Sequence, residues 1–131
     1  VPAATENVIT FGGYDNVTNA FYPKSGRGFT RENRIKPDMT APAVNVYGPG
    51  ISGGYTRRTG TSVACALGAG ACAQILQWGI VEDNEPYMKN NYIKNYLIRG
   101  AERNRDIRYP SEQWGYGTIN VFDSFLILTR T

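Results

Sequence analysis

Apolar and polar positions along the chain change period several times, and each change predicts an element. Residues 8–11 form a short apolar run closed by Gly12-Gly13, which predicts a buried strand. Residues 12–36 are rich in Gly, Asn, Ser and Arg and predict loop. Residues 44–47 lie between Pro42 and Gly48-Pro49-Gly50 and predict a second short strand. Residues 55–59 read as extended, one arm of a hairpin following Ser52-Gly53-Gly54.

Helical spacing then takes over. From Thr61 or Ser62 to Trp78 the side chains are small on almost every face (Ala64, Ala66, Gly68, Ala69, Gly70, Ala71 and Ala73), with Gly79 as the expected stop. A mid-helix Gly costs about 1 kcal/mol against Ala. Gly68 and Gly70 therefore predict close backbone approach, with the helix packed on both sides. A second helix is predicted from Pro86 to Arg99, with Met88, Tyr92, Ile93, Tyr96 and Leu97 on its apolar face and Gly100 ending it. Asn120 should cap a last helix, with Asp123 in its first turn and Val121, Phe122, Phe125 and Leu126 on its buried side. Strands followed by helices indicate an α/β fold with few parallel strands around a buried central helix. Two or three strands leave much of that helix uncovered. The whole of residues 1–131 is therefore expected to be part of one larger domain, with no internal boundary or repeat.

Composition narrows the chemistry. The chain has 131 residues, with 14 Lys plus Arg against 11 Asp plus Glu and a formal net charge of +3. That excess is too small to predict a nucleic-acid or membrane partner. Histidine is absent, so no complete Ser-His-Asp or Cys-His site and no His-ligated metal can be built from these residues alone. No metal site or cofactor is expected. Cys65 and Cys72 sit seven residues apart in one predicted helix. Their Cα atoms would lie about 10 Å apart, beyond the roughly 7 Å limit of a disulfide. Both read as free, buried small hydrophobes. Residues 59–81 carry no charge, but Gly, Ala, Ser, Thr and Gln dominate, which favours a buried helix of a soluble protein over a membrane span. The start at Val1 shows neither an initiator Met nor a signal-like apolar run, so a processed or excised chain is expected.

Gly60-Thr61-Ser62-Val63-Ala64 falls where an extended segment turns into the central helix. A serine there places its hydroxyl beside unpaired backbone N–H groups, the donors that acyl transfer needs for an oxyanion. A Thr-Ser pair at a helix start can equally be an N-cap. The surroundings favour the first reading. Residues 35–44, Ile-Lys-Pro-Asp-Met-Thr-Ala-Pro-Ala-Val, the segment at Ser62, and residues 115–121, Gly-Tyr-Gly-Thr-Ile-Asn-Val, resemble in order three motifs of the C-terminal third of subtilisin-like serine proteases. Residues 1–11 are similar to the family's preceding strand, and Ser25-Gly26-Arg27-Gly28-Phe29 to its S-x-R-G-P stretch. Finer detail is similar to clostridial-type members, including spore-germination proteases. Ala43, Val63 and Ala66 depart from the usual Gly, Met and Pro.

The resemblance implies a partial subtilisin-like three-layer fold and a serine endopeptidase acting on peptide or protein substrates. Ser62 would be the acylated nucleophile, with its own N–H as one oxyanion donor and the Thr61 hydroxyl assisting. The Asp, the His and the oxyanion Asn would come from upstream sequence, so the remainder of the catalytic domain is the expected partner. An extracellular or spore-associated location in bacteria is implied. Two other readings compete: a non-catalytic relative that binds or regulates, and an unrelated α/β interaction module whose Thr-Ser is only a cap. Blander assignments cover the rest. Arg27, Arg31, Arg34 and Lys36 form a solvated basic loop, as do Arg99, Arg103, Arg105 and Arg108. Lys24, Lys36, Lys89 and Lys94 show no sign of burial. Asp38 is a structural loop residue, Tyr92 and Tyr96, one helical turn apart, serve core or surface packing rather than a ligand, and the sequon Asn16-Val17-Thr18 is a chance match.

Overall fold

The computed structural model describes residues 2–130; Val1, where the family-like first strand was expected to begin, lies outside them. β1 (Phe11–Tyr14) pairs in parallel with β2 (Met39–Pro42), setting Phe11 opposite Met39 and Tyr14 opposite Pro42. β3 (Val46–Pro49) and β4 (Tyr55–Arg58) form an antiparallel hairpin, with Val46 opposite Arg58. Three helices follow among the described residues: α1 (Thr61–Leu76), α2 (Asn90–Gly100) and α3 (Val121–Thr129).

Several expected boundaries move. The first strand is residues 11–14, not 8–11. Gly12 and Gly13 continue it because the Ser25 hydroxyl and the Ala43 methyl occupy the space their side chains would need. The strand expected at 44–47 begins two residues later, and the hairpin with residues 55–58 forms as expected. Met39–Pro42 is a strand that its composition did not announce.

Gly79 does not stop the central helix. A π-helical turn, Gln77–Val81, continues it, with Glu82 N–H donating to Gln77 O at 2.9 Å. Asp83 takes the left-handed termination, at φ 61°, and Asn84 Nδ2 donates to the exposed Trp78 carbonyl at 2.8 Å. α2 begins at Asn90 rather than Pro86. Lys89 is extended, which lets Met88 turn inward against Gly79. On α3, Asn120 caps as expected, its Oδ1 accepting from Asp123 N–H at 3.0 Å. The buried positions, however, are Ser124 and Leu128, while Phe122 is 72% exposed.

One core joins Met39, Ala71, Ile75, Met88, Ile93, Leu97 and Leu128; a smaller one joins Ala41, Ala43 and Ala64 under the start of α1. Gly68 makes the closest approach on α1, because a Cβ there would overlap the Phe11 ring. Contact with the rest of the chain runs along one stripe of α1, Ala64, Gly68, Ala71 and Ile75. The Gly pattern predicts packing on both sides, whereas the small sheet predicts that much of the helix stays uncovered, and the second expectation holds. Here burial on the uncharged stretch Thr61–Val81 is confined to that stripe and Gly79, and Leu67, Leu76, Ile80 and Val81 are exposed. By length and composition that stretch could cross a membrane, as could the core helix of a soluble protein.

Candidate active site

Ser62 is exposed as the second residue of α1, and its position follows from a short relay of backbone bonds. Ala43 N–H donates to Tyr14 O at 2.8 Å, and Gly60 N–H donates to Ala43 O at 2.7 Å. The β1–β2 pair thus fixes the residue from which α1 springs. Gly60 stands at φ 151°, a conformation other residues rarely adopt, and its carbonyl accepts from Val63 and Ala64 N–H at 3.1 and 3.4 Å. Gly60 is the N-cap and no side chain caps the helix, so Thr61 and Ser62 are not capping residues.

That geometry leaves the chemistry of a helix start unspent. The N–H groups of Thr61 and Ser62 and the Ser62 hydroxyl have no hydrogen-bond partner among the described residues. Thr61 is half-buried. It lines a cleft of about 640 Å³ together with Phe11, Gly12, Arg27, Phe29, Arg31 and Lys36. Its methyl packs toward Gly13. Ala43, where subtilisin-like proteases usually carry Gly, fits because its methyl fills the space that Gly13 leaves empty.

Among the described residues no base is placed beside Ser62. Lys36 and Lys94 were expected to be solvated, and both are turned inward. Lys36 is 6% exposed, and its Nζ donates to Val8 O at 2.8 Å and to Asp38 Oδ2 at 2.7 Å. Lys94 Nζ lies 2.7 Å from Asp38 Oδ1, close enough for an ion pair but outside hydrogen-bonding alignment. Asp38 Oδ2 also accepts from Thr10 N–H at 2.7 Å. Burial of a carboxylate is costly unless it is paired, and these two ammonium groups supply the pairing. The solvated-loop reading misses them because it takes charge as a sign of exposure. The Lys-Pro-Asp spacing, which puts two opposite charges on one side of an extended segment, was the available signal.

Both cysteines are free, as their spacing predicts. Cys72 is half-buried and its thiol pKa is raised by burial, whereas Cys65 is exposed rather than buried. Tyr92 and Tyr96 pack with ring centroids 4.8 Å apart and planes tilted by 37°.

A family model described as the Subtilase family matches residues 1–117. The chain superimposes on the Clostridium perfringens CspB protease with a TM-score of 0.95 and 36% identity, covering 100% of this chain and 29% of that one. It is 31% identical to pyrolysin of Pyrococcus furiosus, over 90% of this chain and 9% of that protein. It is 30% identical to the mouse membrane-bound transcription factor site-1 protease, over 98% of this chain and 12% of that protein. The chain thus spans about a tenth of the length of these two relatives.

Proposed function

The chain belongs to the subtilase family, and from that premise we propose that it carries the nucleophile of a serine endopeptidase whose remaining catalytic groups lie elsewhere in the intact protein. Family membership removes the unrelated interaction module from consideration. The observation that carries the proposal is the exposed, unpartnered Ser62 hydroxyl at a helix start that still has free N–H donors.

In this reading Ser62 Oγ attacks the scissile carbonyl carbon. A histidine from the remainder of the domain takes the Oγ proton and later delivers it to the leaving amine. The Ser62 N–H and an asparagine amide from the same remainder hold the oxyanion, with the Thr61 hydroxyl at its edge. Water then releases the acyl group from Ser62. The substrate is a peptide or protein, and the bare outer side of α1 is covered by the rest of the catalytic domain. The clostridial likeness supports an extracellular or spore-associated location.

The test compares the intact protein with its Ser62→Ala variant and with residues 1–131 alone. Loss of a catalytic Ser or His costs about 10⁶ in kcat. Ser62→Ala should therefore abolish both peptide cleavage and labelling by a fluorophosphonate, and the isolated chain should show neither. An intact protein that stays unlabelled would instead make this a non-catalytic relative.

A further inference from the structure

A second cavity, of about 310 Å³, opens between the end of β1, Asn19, residues 102–109 and Trp114. It shares no lining residue with the cleft beside Thr61. Its walls are aromatic. Tyr14 and Trp114 meet with centroids 5.9 Å apart at 54°, and Phe21 braces Trp114 edge-on at 5.8 Å. Its floor is fixed by its own hydrogen bonds. Asn104 Oδ1 accepts from Asp106 N–H at 2.9 Å, and Asn104 N–H donates to Tyr109 Oη at 3.0 Å. Glu102 is held in a two-way backbone bridge with Thr118, at 2.8 and 3.0 Å.

Glu102 and Arg103, both exposed, line this cavity and do not pair with each other. Glu102 Oε1 accepts from Asn120 Nδ2 at 3.0 Å, but its carboxylate has no cation within 4.0 Å among the described residues. Arg103, the cation that lines the cavity, is already committed, donating to Ile98 O at 2.7 Å. The half-buried Tyr14 hydroxyl has no hydrogen-bond partner among the described residues. Burial, and then the nearby Glu102 carboxylate, raise the Tyr14 pKa and keep the phenol neutral. Aromatic faces next to an unpaired carboxylate are a receptor for an organic cation.

We propose that this cavity binds one monovalent organic cation, a guanidinium or an alkylammonium group. Such a cation would lie against the Tyr14 and Trp114 rings with its charge on Glu102. The Tyr14 hydroxyl accepts one of its N–H groups. Arg99, Arg105 and Arg108 are exposed nearby in sequence and disfavour a polycation, which limits the guest to a single charge. The proposal does not depend on the role given to Ser62.

Titration calorimetry on the intact protein with Ser62→Ala tests it, because the guest is then not consumed. The probes are N-acetyl-arginine amide, N-acetyl-lysine amide, methylammonium and uncharged N-acetyl-norleucine amide. The cations should bind and norleucine amide should not. Preference for the amino-acid amides assigns a peptide side chain as the source, and preference for methylammonium assigns a free amine. Glu102→Gln keeps an oxygen for Asn120 and should weaken cation binding about tenfold, while Tyr14→Phe should weaken the guanidinium by a smaller factor. In the Ser62 protein, Glu102→Gln should leave melting and peptide cleavage unchanged, which separates a lost binding site from a lost fold. Binding that survives both substitutions, binding of norleucine amide equal to that of the cations, or no binding by any of the four probes overturns the proposal.

Discussion

Two flanks of the one core, which joins Met39 to α1, α2 and α3, are finished to different degrees. On one, α2 and α3 close against each other and against Met39. Leu97 and Leu128 are buried, Gly100 meets Ser124 directly, and a carboxylate is held between two lysines. On the other, α1 touches the chain along one stripe and leaves an uncharged apolar side bare, with Ser62 at its exposed start. Exposed apolar patches of this kind mark places where something else belongs. Stability is therefore built into the first region from within this chain, whereas the proposed active site lies in the second, whose bare side is proposed to be covered by the rest of the domain. Substitutions that act on one region and spare the other test the division.

Asp38 should give the largest effect. Replacing Asp38 by Ala leaves the Lys36 and Lys94 ammonium groups facing each other without their counter-ion and removes the acceptor for Thr10 N–H. Breaking a buried pair from one side costs about 3–5 kcal/mol. Thermal or denaturant unfolding of the intact protein should show a loss of that order, and Lys94→Met should cost less because its side chain is 21% exposed. A loss below 1 kcal/mol for Asp38→Ala would mean that this corner does not hold the fold.

Gly68 and Gly70 sharpen the comparison, since they lie two residues apart on one helix and face opposite ways. Gly68→Ala drives a methyl into the Phe11 ring, and overpacking of that kind costs about 1–3 kcal/mol. At Gly70 nothing lies within 4 Å of the new methyl. Gly70→Ala should stabilise residues 1–131 alone by up to about 1 kcal/mol through helix propensity. In the intact protein the same change should become neutral or destabilising, because the bare side of α1 is then covered. A stabilisation of equal size in both would show that this side stays open to solvent.

What the sequence made legible follows the same division. The helix at Ser62, the Asn120 cap and the β3–β4 hairpin were readable because each is fixed by local spacing and turn residues. Strand boundaries were not. Gly12 and Gly13 read as a stop, yet they are strand residues because Ser25 and Ala43 claim the space beside them. Gly79 read as a helix stop, yet Met88 packs on it and Asp83 ends the helix instead. Ser62 stood out through its motif and the Lys36-Asp38 spacing carried a local signal, whereas the inward turn of Lys94 depends on where Asp38 lies in three dimensions. The cavity beside Glu102 joins residues from Tyr14 to Thr118, and no local pattern announces it.

The smallest expected effect separates the two sides of α1 by reactivity rather than stability. Cys65 and Cys72 are both free thiols, so denatured, unreduced protein should titrate two sulfhydryls for this chain. Under native conditions they should differ. The thiolate is the nucleophile, and burial raises the Cys72 pKa from its ordinary value, lowering its thiolate fraction near pH 8 as well as limiting access. Cys65 lies in the open on the bare side. Iodoacetamide followed by peptide mass spectrometry on residues 1–131 should therefore find Cys65 modified faster, by roughly tenfold. Raising the pH should speed Cys72 only above the range of an ordinary thiol, because burial raises its pKa. In the intact protein the covered outer side should slow Cys65 to the rate of Cys72 or below. Equal rates in the isolated chain would mean that the two sides of α1 are alike in solution, through self-association or through opening of the stripe against β1. A fast Cys65 in the intact protein would leave the nucleophile helix without the cover that the proposed active site requires.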